Sequence, residues 1–153
     1  MTAPGSQQHA AARDIKASAE TIYRAFLSRD AMAHWLPPAG ATGVIDVFEP
    51  QEGGRFRLTL VFETARGKSS DHTDVVAGRF VELVPRRRMV MAVDFDSDDP
   101  AFAGTMTMTW ELAALPEGTR VSVIAEHVPA GISQADHEAG MRSTLDNLAA
   151  FVE

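Results

Sequence analysis

The stretch ISQADHEAGMRSTLDNLAAFVE, residues 132–153, decides the fold. It has the pattern of one long amphipathic helix. Ser133 is the N-cap candidate. Asp136 and Glu138 follow in the first turns, where the positive end of the helix dipole favours acids. Met141, Leu145, Leu148 and Val152 recur at spacings of four and three, which places them on one face. Ala149 and Phe151 widen that face, and Arg142, Asp146 and Asn147 fall largely opposite. About 20 residues at ~1.5 Å each make a rod of roughly 30 Å. Such a rod needs a broad apolar surface to cover it, and the preceding chain reads as a run of strands.

A chain of 153 residues is expected to form one domain. Its 45% hydrophobic and 23% charged residues are those of a globular protein. A formal net charge of -7 argues against nucleic acid or an acidic membrane surface as partner. The chain has no cysteine, which removes disulfides, thiolate catalysis and cysteine metal sites. A reducing cytoplasm is compatible with that and is the expected location. No apolar run approaches the ~18 residues of a membrane span. Residues 1–10 lack the basic start and apolar core of a signal peptide and are expected to form a flexible tail, leaving residues 11–153 as the domain.

In chain order, residues 11–17 form a weak strand around Ile15. Ser18 caps a short helix whose apolar face is Ile22, Tyr23, Phe26 and Leu27. Asp30 is the N-cap candidate of a second helix, anchored by Met32 and Trp35 and ended by Pro37-Pro38. The period then changes to two. Residues 43–48, 55–63, 73–84, 88–95, 105–115 and 120–128 read as strands, separated by turns or by polar loops at 64–71 and 96–104. Gly78, inside a strand, marks a bulge or a close backbone approach. The architecture expected is α+β: an antiparallel sheet of about seven strands curled around the C-terminal helix, with two short helices after the first strand.

That order, with several local motifs, resembles the SRPBCC superfamily, the START and birch-pollen-allergen type of helix-grip fold. Within it the chain is similar to the activator of heat-shock-protein-90 ATPase homologue family. The resemblance is carried by SAETIYRAF (18–26), Trp35, PQEGGRF (50–56), GRFVELVPRRR (78–88), GTRV (118–121) with Glu126-His127, and HEAGM (137–141) followed by LDNL (145–148). It covers roughly residues 15–151. One departure stands out: the family usually has tryptophan after the helix glycine, where this chain has Met141. The resemblance implies an apolar cavity between sheet and long helix, and a connection with chaperones and stress response. The fold itself carries lipid carriers, cyclases, hydrolases and chaperone partners, so it does not by itself name an activity.

The residues suggest how such a cavity would be lined. Met89, Met91, Met106 and Met108 alternate on neighbouring strands, with Met141 on the helix; methionine suits an adaptable pocket wall and equally a plain core. Phe56, Leu58, Leu60, Trp35, Trp110 and Leu145 complete the expected wall. Gly140 costs a helix interior roughly 1 kcal/mol, which either close packing or room for a ligand would explain. His127, if it faces inward with Val121, Val123 and Ala125, is a head-group contact or an acid-base group, with Glu63 or Asp94 as partner; a hydrogen-bonded histidine at a strand end is the plainer reading. His72 and His137 are expected at the surface, and His9 and His34 carry no signal.

Other patterns fail on inspection. Counting from Asp94, a calcium loop would need glycine and glutamate where Asp99 and Thr105 stand. Arg86, Arg87 and Arg88 at a strand corner read as solubilising. No nucleophile motif, phosphate loop or metal-ligand pair at helical spacing is present, and no cofactor is expected. The first expectation is therefore binding of a small hydrophobic or amphipathic ligand. The alternatives are a protein-interaction module of the chaperone ATPase activator type and a cyclase- or dehydratase-like enzyme using an acid-base pair in the cavity. No nucleic acid or membrane partner is expected, and the chain would act as a monomer or homodimer.

Overall fold

The computed structural model describes residues 7–64, 70 and 72–153. The strands are β1 (Gln7–Ile15), β2 (Ala41–Phe48), β3 (Arg55–Phe62), β4 (Thr73–Val84), β5 (Arg88–Phe95), β6 (Met106–Leu115) and β7 (Gly118–Val128). The helices are α1 (Ala19–Phe26), α2 (Arg29–Trp35) and α3 (Gln134–Val152), with one 3-10 turn at Pro100–Phe102. The seven strands form one antiparallel sheet in the order β1-β7-β6-β5-β4-β3-β2. Six neighbouring strands are joined by short connections, and only β1 reaches across the chain to pair with β7. The expected α+β helix-grip architecture is what the chain adopts.

Local chemistry explains most boundaries. Ser18 accepts from the Thr21 amide at 3.2 Å and Ser133 from the Asp136 amide at 3.1 Å, so both expected caps are in place. The second helix departs from expectation: its cap is Ser28, which accepts from the Ala31 amide at 3.2 Å, and Asp30 lies inside the first turn. The first strand also departs. It begins at Gln7, so residues 7–10 of the expected tail are strand. Residues 1–6, and positions 65–69 and 71 of the expected polar loop, lie outside the described residues.

The core lies between the inner face of the sheet and the three helices. From α3 it takes Met141, Leu145, Leu148 and Ala149, all buried. Each large side chain of that set, removed from water, contributes about 1.5–3 kcal/mol. Trp35, Phe26 and Trp110 pack with ring centroids 5.3–5.7 Å apart beneath α1 and α2, and Phe80 packs on Phe48 and Phe56 at 5.6 and 5.5 Å. Trp35 also donates its indole N–H to the Ala25 carbonyl at 2.9 Å, which ties α2 to α1.

Two glycines separate the meanings proposed for them. At Gly78 a side chain would collide with the Ala92 carbonyl oxygen, so this is a close backbone approach; the β4–β5 register shift falls later, between Phe80 and Glu82. At Gly140, half-buried in α3, a side chain would meet nothing within 4 Å. Close packing does not explain that glycine, and space beside the helix remains. Gly140→Ala is therefore expected to raise stability by up to ~1 kcal/mol, because it gains helix propensity without a clash. Gly78→Ala is expected to lower it by about 1–3 kcal/mol through overpacking. Chemical denaturation of the two variants checks both signs.

Candidate functional site

Strand register determines which side chains share the inner wall. Met89 is opposite Trp110, Met91 opposite Met108 and Val93 opposite Met106, so these six side chains lie on one face. The row continues from Met108 to Ala125 on β7 and from there to His9 on β1. On the other side Met91 is opposite Phe80, and Leu58 is opposite Val76. Of the residues expected to line a cavity, Trp35, Phe56, Leu58, Met89, Met91, Met106, Trp110, Met141 and Leu145 are buried. Leu60 and Met108 are partly buried against them. The structure thus brings eleven of the twelve expected wall residues together.

His127 is the exception. Gln7 pairs with Val128 and His9 with Ala125, so Gln8 alone faces Glu126 and His127. This is a β-bulge, and His127 takes a φ of 56° in it. The bulge breaks the two-residue alternation: Val128 turns inward, whereas Glu126 and His127 are exposed. Glu63 and Asp94 are exposed as well, and Asp94 accepts from the Thr105 hydroxyl at 2.6 Å. The acid-base pair expected from these three residues is not assembled on the inner face.

A different histidine occupies the inner wall. His9 is 1% exposed, and its Nδ1 lies 2.8 Å from Nδ1 of His137 on α3. The two atoms hold one proton between them; a proton on each would set two N–H groups face to face. Beside them Glu138 accepts from the Ala10 amide at 3.0 Å and from the Gln134 side chain at 3.3 Å. The Ala10 amide foremost, with Gln134, holds the Glu138 carboxyl below the usual carboxylate range. Burial pushes the His9 imidazole below its ordinary value, against a weaker pull from Glu138.

Both histidines were legible in principle. Counting back by twos from buried Ile15 places Arg13, Ala11 and His9 on one face. Counting back by four from Met141 places His137 on the apolar face of α3. The expected strand stopped at Ala11, so His9 was not reached. One further feature is tertiary alone: Trp110 Nε1 and His9 Nε2 are both buried with no hydrogen-bond partner among the described residues.

Two open hollows lie elsewhere. One, of about 600 Å³, runs between the α2–β2 connection and the end of α3, past His34, Pro37, Gly40, Asn147 and Phe151. The other, of about 390 Å³, lies over Ala12, Arg13, Arg142, Leu145 and Asp146. Among the expected wall residues only Leu145 borders either of them. Neither hollow is lined by the methionines of β5, β6 or α3.

Residues 16–153 match the family model of activator of Hsp90 ATPase homolog 1-like proteins. The chain belongs to this family. Among solved structures, the activator-homologue fold recurs in a protein from Chromobacterium violaceum at 32% identity, with a TM-score of 0.85 over 95% of this chain and 96% of that one. A protein from Rhodobacter sphaeroides shares the fold at 19% identity and a TM-score of 0.77, covering 95% and 91%. An AHSA1-like protein from Aeromonas hydrophila does so at 18% identity and 0.72, covering 95% and 92%. No match was found among the curated proteins. Among the described residues, no helix is long and apolar enough to cross a membrane.

The pH dependence of the fold follows from the histidine contact. Because His9 in the folded chain has a lowered pKa, the unfolded chain takes up its proton first as pH falls. Stability is therefore full above the ordinary imidazole value of 6.5 and is lost as pH falls below it. Denaturant midpoints measured from pH 7.5 to 5 are expected to decline in the native chain and to decline less in His9→Phe. Equal slopes would remove His9 as the cause.

Proposed function

We propose that the chain binds a small hydrophobic or amphipathic ligand between the inner face of the sheet and α3. The observation that carries this reading is the methionine-rich wall that β5 and β6 present to the helix layer. Met91 and Met108 sit opposite each other, Met89 and Met106 flank them, and Met141 of α3 belongs to the same buried cluster. Unbranched thioether side chains change shape at low cost, so a wall of them admits guests that a branched core would refuse. Trp35 and Met89 are fully buried; entry of a guest therefore displaces side chains, and the methionines are the ones best able to move. A ligand that buries ~250 Å² of apolar surface would gain about 6 kcal/mol before its own ordering costs.

Native mass spectrometry and thermal shift against a panel of lipophilic probes test the reading directly. A bound probe and a raised melting temperature are expected. Met108→Trp, at a wall position that is only partly buried, is expected to keep the fold and weaken probe binding at least about tenfold. If no probe binds the native chain, the ligand reading ends.

A second reading, a protein-docking module, is favoured by one observation on the outer face. Val44 and Val61 are 60% and 41% exposed and lie diagonally across β2 and β3, next to the open edge of the sheet. The family description names a chaperone ATPase activator, which makes a heat-shock-protein-90 homologue the partner to try. Retention of the chain on such a homologue, lost in Val44→Glu, supports docking. Absence of both retention and ATPase stimulation ends it.

A further inference from the structure

We infer that the interior ligand carries at least one hydroxyl or carbonyl oxygen, received by Trp110 Nε1 and His9 Nε2, and is not a bare hydrocarbon. The inference rests on the ligand reading above and adds the chemical class of the guest.

Most buried polar atoms in folded proteins have a hydrogen-bond partner, and each orphan costs about 1–3 kcal/mol. Here two orphans belong to residues on the same inner face of the sheet. Trp110 is 2% exposed and His9 is 1% exposed, and among the described residues neither Nε1 nor Nε2 finds an acceptor or donor. They belong to one wall: His9 is opposite Ala125, Ala125 opposite Met108, and Trp110 stands two residues along from Met108 on the same face. Two strand spacings across and two residues along put their Cα atoms roughly 12 Å apart. Long side chains at that separation can converge on one guest. Ala125, between them, is the smallest side chain of the row.

The chemistry of the two atoms selects the guest. An indole N–H only donates, so its partner is an oxygen acceptor. His9 is coupled to His137. If His137 donates across the 2.8 Å contact, the His9 proton sits on Nε2 and that atom donates; if His9 donates, Nε2 accepts. A hydroxyl satisfies either arrangement, whereas a carbonyl satisfies only the first. Trp35 gives an internal contrast. It is equally buried in the same aromatic cluster, but its indole N–H is already spent on the Ala25 carbonyl. Of the two indoles, only that of Trp110 is available to a ligand.

The test uses chain-matched probes, decane and 1-decanol, and the two indole N–H resonances in a ¹⁵N–¹H correlation spectrum, assigned with Trp110→Phe. Decanol is expected to bind about tenfold more tightly than decane, the worth of one added hydrogen bond. The Trp110 resonance is expected to move on addition of decanol but not of decane, with that of Trp35 nearly still. In His9→Phe the decanol advantage is expected to shrink. If both probes bind with equal affinity and the Trp110 resonance moves alike with each, the inference is overturned while the ligand reading stands. If neither probe binds, the ligand reading fails and takes the inference with it. Should His9→Phe fail to fold, the native chain's probe ratio and indole resonance still decide the matter.

Discussion

Everything in this fold depends on α3 lying along β1. Residues 9 to 16 of the strand span about 23 Å, and residues 137 to 153 of the helix span about 24 Å. That match lets contacts run the whole length. His9 meets His137, the Ala10 amide meets Glu138, Arg13 pairs with Asp146, and the Lys16 amide donates to Glu153. Two of these use the carboxylates of Glu138 in α3 and of its C-cap Glu153 to satisfy the main-chain amides of Ala10 in β1 and of Lys16 just past it. A free strand edge is a template for unwanted pairing, and here the helix occupies it. Because β1 also pairs with β7, the same arrangement ties the start of the described chain to its end.

The price of that closure is long-range ordering. β1 and α3 are separated by the whole sheet in sequence, so their contacts form only when the intervening strands are in register. Polar contacts at the surface return little individually: the Arg13–Asp146 and Arg120–Asp14 pairs are largely exposed. The stabilisation comes from the apolar layer they frame, where Trp35, Trp110, Phe26, Met89 and Leu148 are all within 2% of full burial. The ion pairs set direction and register, and the buried layer supplies the energy.

The interior is unusual in composition rather than in shape. Branched aliphatic residues cluster on β7, with Val121 and Val123. The neighbouring β6 and β5 present methionines instead. One side of the wall is stiff and the other is adaptable; Trp110, with one orphaned polar atom, stands on the adaptable side, and His9, with the other, lies across β7 from it. A core chosen for stability alone would have paired those atoms or replaced them, since an unsatisfied buried group is costly. Their retention, together with the methionines beside them, is the reason to read the layer as a site.

Much of this was determined locally. Ser18 and Ser133 cap their helices through bonds spanning three residues, and β4 and β5 begin and end where the alternation of their own side chains says they should. Family membership was legible for the same reason: its motifs are short runs that each report one turn or one face. What only tertiary structure decided is non-local. Gln7–Ala10 has no apolar alternation of its own and becomes strand because β7 offers a ladder. His127 turns outward because a bulge, invisible in residue types, inserts one residue against Gln8. His9 becomes a buried, coupled imidazole only when α3 brings His137 to it, and Trp110 Nε1 loses water only when the helices close over β6. Sequence records which groups a chain carries; which of them lose water together depends on distances that exist only after the sheet has closed.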